Sequence, residues 1–473
     1  MLKRMHSAAR ARRERGWRRF LSRAVELVYR RNGFNPLPVI AAGFAALILI
    51  GSALLSLPAA CALPGRVSWF DALFTSTSAV CVTGLVVRDT GTVYSTFGHV
   101  VLLILIQTGG LGFMTFATLI FRVMGRTISL RDRMIMRDSM NEDVLGGVVQ
   151  LVQWVVGSTL CVELAGAAVF SIRMIPMYGV GKGLFYAVFH AVSAFCNAGF
   201  DLFGGGRSLT GFSGDALMCL CAIMLVVIGG LGFGALNDIL TRRSFRKLRL
   251  HTKLVLVSYG ALMLAGFILV LLLEWDNPAT LGPMPLGKKL LNALFQSVTL
   301  RTAGFNTYDQ QAQRDVTKLI CSFMMMIGAA PASTGGGVKV TTLAILLLTV
   351  RMVARGESSI KVFGRRIESS VIQRTVTIVF IAVALVFVDV CVLSVMQPEA
   401  AFLDLLYECA SAMGTVGISA IGTSALRPFA RMWIILTMFT GRVGPLTLAL
   451  VFMKKQDRAR ELINYPEEHV MIG

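Results

Sequence analysis

The chain has 473 residues, of which 55% are hydrophobic and only 15% charged, and its formal net charge is +20. A soluble domain carries about 25% charged residues, so this composition excludes an ordinary soluble protein and indicates a multi-span membrane protein. The basic residues lie in short blocks between apolar runs, a distribution that reads as membrane topology and argues against a nucleic-acid surface.

Residues 1–36 are rich in arginine, with Trp17, Phe20, Leu21, Leu27 and Val28 interleaved at roughly helical spacing. This pattern fits an amphipathic cytoplasmic helix resting on anionic headgroups of membrane lipids. The first apolar run, about 37–60, carries no charge and is long enough to span; it starts late for a secretory signal. A short apolar segment follows from Phe70 to Cys81, too brief to cross, and is read as a half-helix entering from outside. A second long segment covers about 96–121, and a basic loop follows with Arg122, Arg126, Arg131, Arg133 and Arg137.

This order of long, short, long and basic recurs three times. Spans at about 145–171 and 216–240 flank a short segment at 183–196. Spans at 254–274 and 317–350 flank 287–300, and spans at 371–395 and 429–453 flank 402–414. Every basic block follows an even number of spans, so all of them, with both termini, are assigned to the cytoplasm. The expected fold is an all-α membrane protein of four span–half-helix–span repeats. Eight transmembrane helices and four re-entrant pore helices would surround one pore in pseudo-fourfold symmetry. The expected boundaries are a basic segment at 1–36 and pore repeats at 37–130, 131–245, 246–355 and 356–473, the last including the C-terminal tail.

One short sequence ends each half-helix: Val82-Thr83-Gly84, Asn197-Ala198-Gly199, Thr302-Ala303-Gly304 and Thr415-Val416-Gly417. The glycines recur about every 110 residues, the mark of a repeat. Glycine tolerates positive φ and lets a backbone turn its carbonyls into a lining, and rings of carbonyls can replace the water of a cation. The expected cation ligands are the backbone carbonyls of Thr83, Asn197, Thr302 and Thr415. The alternative is four ordinary glycine bends between helices.

The second span of repeat three is interrupted by Gly328 to Gly337, which includes Pro331, Ser333, Thr334 and three consecutive glycines, Gly335, Gly336 and Gly337. Such a stretch cannot remain a regular helix. It is read as an intramembrane loop able to obstruct the path, the alternative being a simple kink. Milder breaks occur at Gly109-Gly110-Leu111-Gly112 and Gly229-Gly230-Leu231-Gly232. Lys339 and Arg442 are cations within spans and therefore functional candidates. Either they raise the barrier in the path, or carboxylates such as Glu163, Asp238 or Asp389 neutralise them. Arg301 is expected to turn away from the pore and brace its loop.

Nothing in the sequence suggests an enzyme: no Ser/His, Cys/His or paired-carboxylate constellation is evident, and the nine cysteines read as buried thiols. A strand followed by a glycine-rich nucleotide loop is also missing, so no organic cofactor is expected in this chain.

These residues together resemble the superfamily of K⁺ transporters that comprises TrkH, KtrB and HKT. The resemblance covers about 37–473 and rests on Arg301-Thr302-Ala303-Gly304-Phe305-Asn306, Ser333-Thr334-Gly335-Gly336-Gly337-Val338-Lys339 and Gly441-Arg442-Val443-Gly444. TrkH proteins usually carry extra helices before the first repeat, so the chain looks like the KtrB (NtpJ-type) branch. The resemblance implies a homodimer with one pore per subunit in the cell inner membrane, and a KtrA-like cytoplasmic nucleotide-binding ring as partner. It also implies K⁺ uptake that is often Na⁺-dependent. Gly84, Gly199, Gly304 and Gly417 map onto the selectivity filter, Gly335–Gly337 onto the gate and Arg442 onto the pore arginine. Asn197-Ala198 departs from the Thr-Val of a channel. A cation-coupled symporter for another solute is the alternative function.

Overall fold

The computed structural model describes residues 37–62, 67–112 and 148–444, with Thr447 beyond them. The arginine-rich N-terminal segment, the basic loop after the first repeat and the C-terminal tail lie outside the described residues.

Four units follow one another. In the first, α1 (Leu37–Leu55) is the outer helix, α2 (Trp69–Val80) the short one and α3 (Thr96–Leu111) the second long one. The second unit comprises α4 (Val148–Tyr178), α5 (Val180–Phe195), α6 (Ala216–Gly230) and α7 (Phe233–Arg242). The third has α8 (Leu250–Glu274), α9 (Leu286–Thr299), α10 (Asp315–Met326) and α11 (Val340–Ala354). The fourth has α12 (Ser369–Met396), α13 (Phe402–Gly414) and α14 (Pro428–Val443). A two-residue hairpin of β1 (Lys361–Val362) and β2 (Arg365–Arg366) joins the third unit to the fourth.

Local chemistry sets these limits. Ser68 caps α2 by accepting from the Asp71 amide (3.1 Å), Ser95 caps α3, and Asp215 caps α6 through the amides of Leu217 and Met218. Proline opens α14, where its missing amide is not needed. Among the described residues, α1, α4, α8 and α12 are long and apolar enough to cross a membrane unbroken.

The second long segments are different. The span expected at 216–240 is two helices, α6 and α7, bent by 97° at Leu231-Gly232. Helices α3 and α14 stop at Gly112 and Gly444, whose φ values of +81° and +94° match the +84° of Gly232. All of these stops fall at the small-residue sequences, because a left-handed glycine ends a helix at little cost. Among the described residues, the break in the third unit is an extended insertion, residues 327–339 between α10 and α11.

The ring closes through one repeated contact: the second long helix of each unit packs on the short helix of the next. The pairs are α3 on α5, α6 on α9, α10 on α13 and α14 on α2. In two of them the fourth residue of the long helix meets the third residue of the short one. Lys318 pairs with Asp404 at 2.7 Å and Arg431 with Asp71 at 3.5 Å, and Asp71 also takes Arg88 at 3.0 Å. At the same position in α3, His99 lies 6.4 Å from the rings of Phe185 and Phe189 on α5. Removing one partner of a buried pair costs about 3–5 kcal/mol, and Asp71 is 3% exposed. Asp71→Ala is therefore expected to lower the unfolding midpoint of the detergent-solubilised protein, with Arg431→Ala adding little in the double variant. Fully additive midpoint losses would show that the pair does not hold this seam.

Candidate ion-conduction site

Each short helix ends in the same turn. Val82, Asn197, Thr302 and Thr415 take left-handed φ values of 56°, 58°, 66° and 52°. The next amide then reaches back to the helix: Thr83 to the Ser78 carbonyl (2.8 Å), Ala198 to Ser193 (2.7 Å), Val416 to Ser411 (2.8 Å) and Ala303 to Thr299 (3.0 Å). This is the capping turn that glycine usually serves. Three β-branched residues and an asparagine hold it here, a strained choice that surrounding structure must enforce. Two residues on, Gly84, Gly199, Gly304 and Gly417 have φ of 96°, 69°, 79° and 96°.

The four turns meet. A methyl group on Gly84 would lie 2.6 Å from the Ala198 carbonyl oxygen, and one on Gly199 would lie 2.7 Å from the Gly304 Cα and 3.0 Å from the Ala303 oxygen. On Gly304 it would lie 2.8 Å from the Val416 oxygen, and on Gly417 it would overlap the Thr83 oxygen, which closes the circle. Every glycine thus faces a carbonyl of the following unit, and no side chain fits between them.

The carbonyls in this ring belong to Thr83, Ala198, Ala303 and Val416. The ligand set expected from sequence, Thr83 with Asn197, Thr302 and Thr415, mixes two levels. Thr83 stands level with Ala198, and the structural counterpart of Asn197, Thr302 and Thr415 is Val82.

Hydroxyls on the short helices brace the turns. Ser78 and Ser411 accept from the amides of Gly84 and Gly417, each at 3.0 Å. Ser193 donates to the Phe200 carbonyl at 2.8 Å and Thr299 to that of Phe305 at 2.5 Å. Further out, the His190 ring accepts from the Leu202 amide (3.3 Å), Gln296 donates to Gln310 (2.7 Å), and buried Glu408 accepts from Ser419 and Thr423. These outer braces carry no signal at the sequence level, since their partners are a backbone amide and ordinary polar residues in loops.

Directly against the ring sits the insertion of the third unit. Its neck is closed by pairing of Ile327 with Val338, where the Gly328 amide donates to the Val338 carbonyl at 2.7 Å. Within the loop, the Gly336 amide donates to the Thr415 hydroxyl at 3.0 Å, and a methyl group on Gly335 would strike the Thr302 hydroxyl. Thr334 donates to the Phe195 carbonyl, the Ala330 amide to Gly230 and the Gly337 amide to Gly441.

Lys339 and Arg442 hold this loop rather than pairing with acids. Lys339 Nζ donates to the Gly335 carbonyl at 2.6 Å. The Arg442 guanidinium donates to the carbonyls of Thr334, Gly109 and Gly110, and so ties the loop to the first unit. The expected neutralising carboxylates are engaged elsewhere. Glu163 takes Gln107, Asp238 takes Arg242 and Thr252, and Asp389 takes the Trp433 indole. Among the described residues neither cation has a carboxylate partner, because carbonyl oxygens satisfy their protons instead.

A narrow ring of carbonyls at the ends of four inward-pointing helices, closed beneath by a tethered loop, defines a cation-conducting membrane protein. The model of the TrkH family, described as a cation transport protein, matches residues 44–462. The chain belongs to this family. It is 40% identical to Ktr system potassium uptake protein B of Bacillus subtilis (strain 168), over 93% of this chain and 97% of that protein. It is 36% identical to potassium/sodium uptake protein NtpJ of Enterococcus hirae, over 94% and 98%. The crystal structure of the potassium transporter TrkH from Vibrio parahaemolyticus superposes with a TM-score of 0.65 at 19% identity, covering 87% of this chain and 85% of that one; it shares the fold.

Proposed function

We propose that this chain is the K⁺-translocating subunit of a Ktr-type uptake system, with the four turns as its selectivity filter and residues 328–337 as its gate. The observation that carries the reading is the closed circle of glycines against carbonyls, with a loop bonded to its inner face. A dehydrated K⁺ needs several oxygens at once, and the carbonyls of Thr83, Ala198, Ala303 and Val416 offer one from each unit. Helix C-termini behind them add partial negative charge, which favours a cation and rejects an anion. The relatives' names, potassium uptake and potassium/sodium uptake, support K⁺ as cargo and Na⁺ as a second ion involved in uptake.

In this reading both termini are cytoplasmic, two copies form a homodimer with one pore each, and a KtrA-like ring binds from the cytoplasm. The word "system" in the names of relatives supports a partner chain. The decisive test is growth of a K⁺-uptake-deficient host at low K⁺, with tracer Rb⁺ flux in proteoliposomes made with and without a ring subunit. Rescue and Rb⁺ flux are expected. Uptake competed by organic solutes but not by Rb⁺ would favour a symporter for another solute.

A further inference from the structure

Arg301 precedes the third turn and is 0% exposed, the largest fully buried side chain among the described residues. It has no carboxylate partner there. Its guanidinium turns away from the turns and donates through Nη1 to the Ile327 carbonyl, while Nε and Nη2 have no protein partner among the described residues. Ile327 is one half of the pair that closes the neck of the inserted loop. The other side of Arg301 is also engaged. The Asn197 carboxamide of the second turn donates to the Arg301 carbonyl at 3.1 Å and to the Thr302 hydroxyl at 3.0 Å. One buried residue therefore touches the second turn, carries the third and grips the neck of the loop below.

A buried cation with a single protein acceptor is poorly placed to lose it, because stripping a charge of its partner in a low-dielectric interior is expensive. Displacing the neck removes the Ile327 carbonyl from Arg301, and a shift of Arg301 moves the backbone carbonyl that accepts from Asn197. The neck and the filter cannot rearrange independently.

We propose that Arg301 is a positioning residue that couples the selectivity filter to the gate, through Asn197 and Thr302 on one side and the Ile327 carbonyl on the other. This rests on the filter and gate reading given above. It assigns a task to Asn197: where a channel-like sequence would place threonine, the carboxamide bonds the second turn to the third at two points. Coupling of this kind is established by a double-variant cycle rather than by proximity.

The test uses full-length protein in proteoliposomes, with Rb⁺ and Na⁺ tracer flux as readouts. The variants are Arg301→Gln, deletion of Gly335–Gly337, and both together. Arg301→Gln is expected to raise Rb⁺ flux about threefold and to lower the Rb⁺/Na⁺ flux ratio at least threefold. In the deletion background it should change flux by less than half as much, because the neck is already released. A purely structural role would reduce the amount of folded protein and leave the ratio unchanged. An unaltered ratio, or full additivity in the double variant, would overturn the coupling. If Arg301→Gln is not recovered as folded protein, Arg301→Lys is taken through the same cycle; a ratio between wild type and one third of it is expected, and a wild-type ratio overturns the proposal. The deletion alone separates the two claims. Unchanged flux on deletion sinks the gate reading, whereas raised flux with a silent Arg301→Gln sinks only the coupling.

Discussion

Replacing Gly417 by alanine is expected to cut K⁺ uptake to below one tenth of wild type while the protein still inserts and remains folded. Two costs add at this position. Its φ of +96° is one that side-chain-bearing residues rarely adopt, with a penalty on the order of 1–3 kcal/mol. The added methyl group would also overlap the Thr83 carbonyl oxygen and lie 2.9 Å from the Gly84 Cα. Both neighbours are backbone, so neither can swing aside as a flexible side chain would. The relief left is to push the first turn out of the ring, and a ring with one carbonyl displaced no longer replaces the water of K⁺ on all sides. One tenth corresponds to about 1.4 kcal/mol at the barrier, within the range of the backbone penalty alone. Gly157→Ala is the control, since nothing lies within 4 Å of a methyl group there. Tracer Rb⁺ uptake, normalised to protein in the membrane, measures both. Near-wild-type uptake in Gly417→Ala would mean that the circle is not the conduction path.

Much of this arrangement is legible in the sequence, for a definite reason. A segment too short to span that ends in a glycine turn is punctuation, and punctuation is local. The half-helices expected at 183–196 and 287–300 appear as Val180–Phe195 and Leu286–Thr299. What escapes the sequence is non-local or depends on conformation. The pairing of Arg431 with Asp71 joins residues that are neighbours only once the circle closes. The level of Thr83 follows from its distance to the glycine and not from its residue type: aligned on Gly84, Val82 stands with Asn197, Thr302 and Thr415, and all four take left-handed φ. The α6–α7 break has the small-residue mark of α3, but the bend of 97° depends on what packs around it: the Phe233 amide donates to the Ala332 carbonyl of the inserted loop. The fate of Lys339 and Arg442 was equally hidden. Residue type suggests carboxylate partners for a buried cation, whereas the inserted loop and the C-terminal turn of α3 leave carbonyls without helical partners, and these are where the two cations go.

That last feature sets the second large effect. Deleting Gly335–Gly337 is expected to raise Rb⁺ flux on the order of tenfold and to make it independent of the cytoplasmic ring. The inserted loop is tied to every unit: to the first through Arg442, to the second through Gly230 and Phe195, to the third through Arg301 and Lys339, and to the fourth through Thr415 and Gly441. Individually such bonds contribute about 0.5–1.5 kcal/mol, more where a charge donates. If the loop is the gate, as proposed, several acting together hold it closed at rest. The three glycines hold the contacts nearest the ring, since Gly336 bonds the Thr415 hydroxyl and Gly337 bonds the Gly441 carbonyl. Their removal takes away the backbone under the ring, its bond to the Thr415 hydroxyl and two of the carbonyls available to Lys339, while Ser78, Ser193, Thr299 and Ser411 still brace the turns. Flux should therefore rise without collapse of the filter. In the wild type, added ring subunit should increase Rb⁺ flux; in the deletion, flux with and without the ring should coincide. A deletion that leaves flux low and still ring-dependent would place the barrier elsewhere in the path, with Arg442 itself the nearest remaining obstacle.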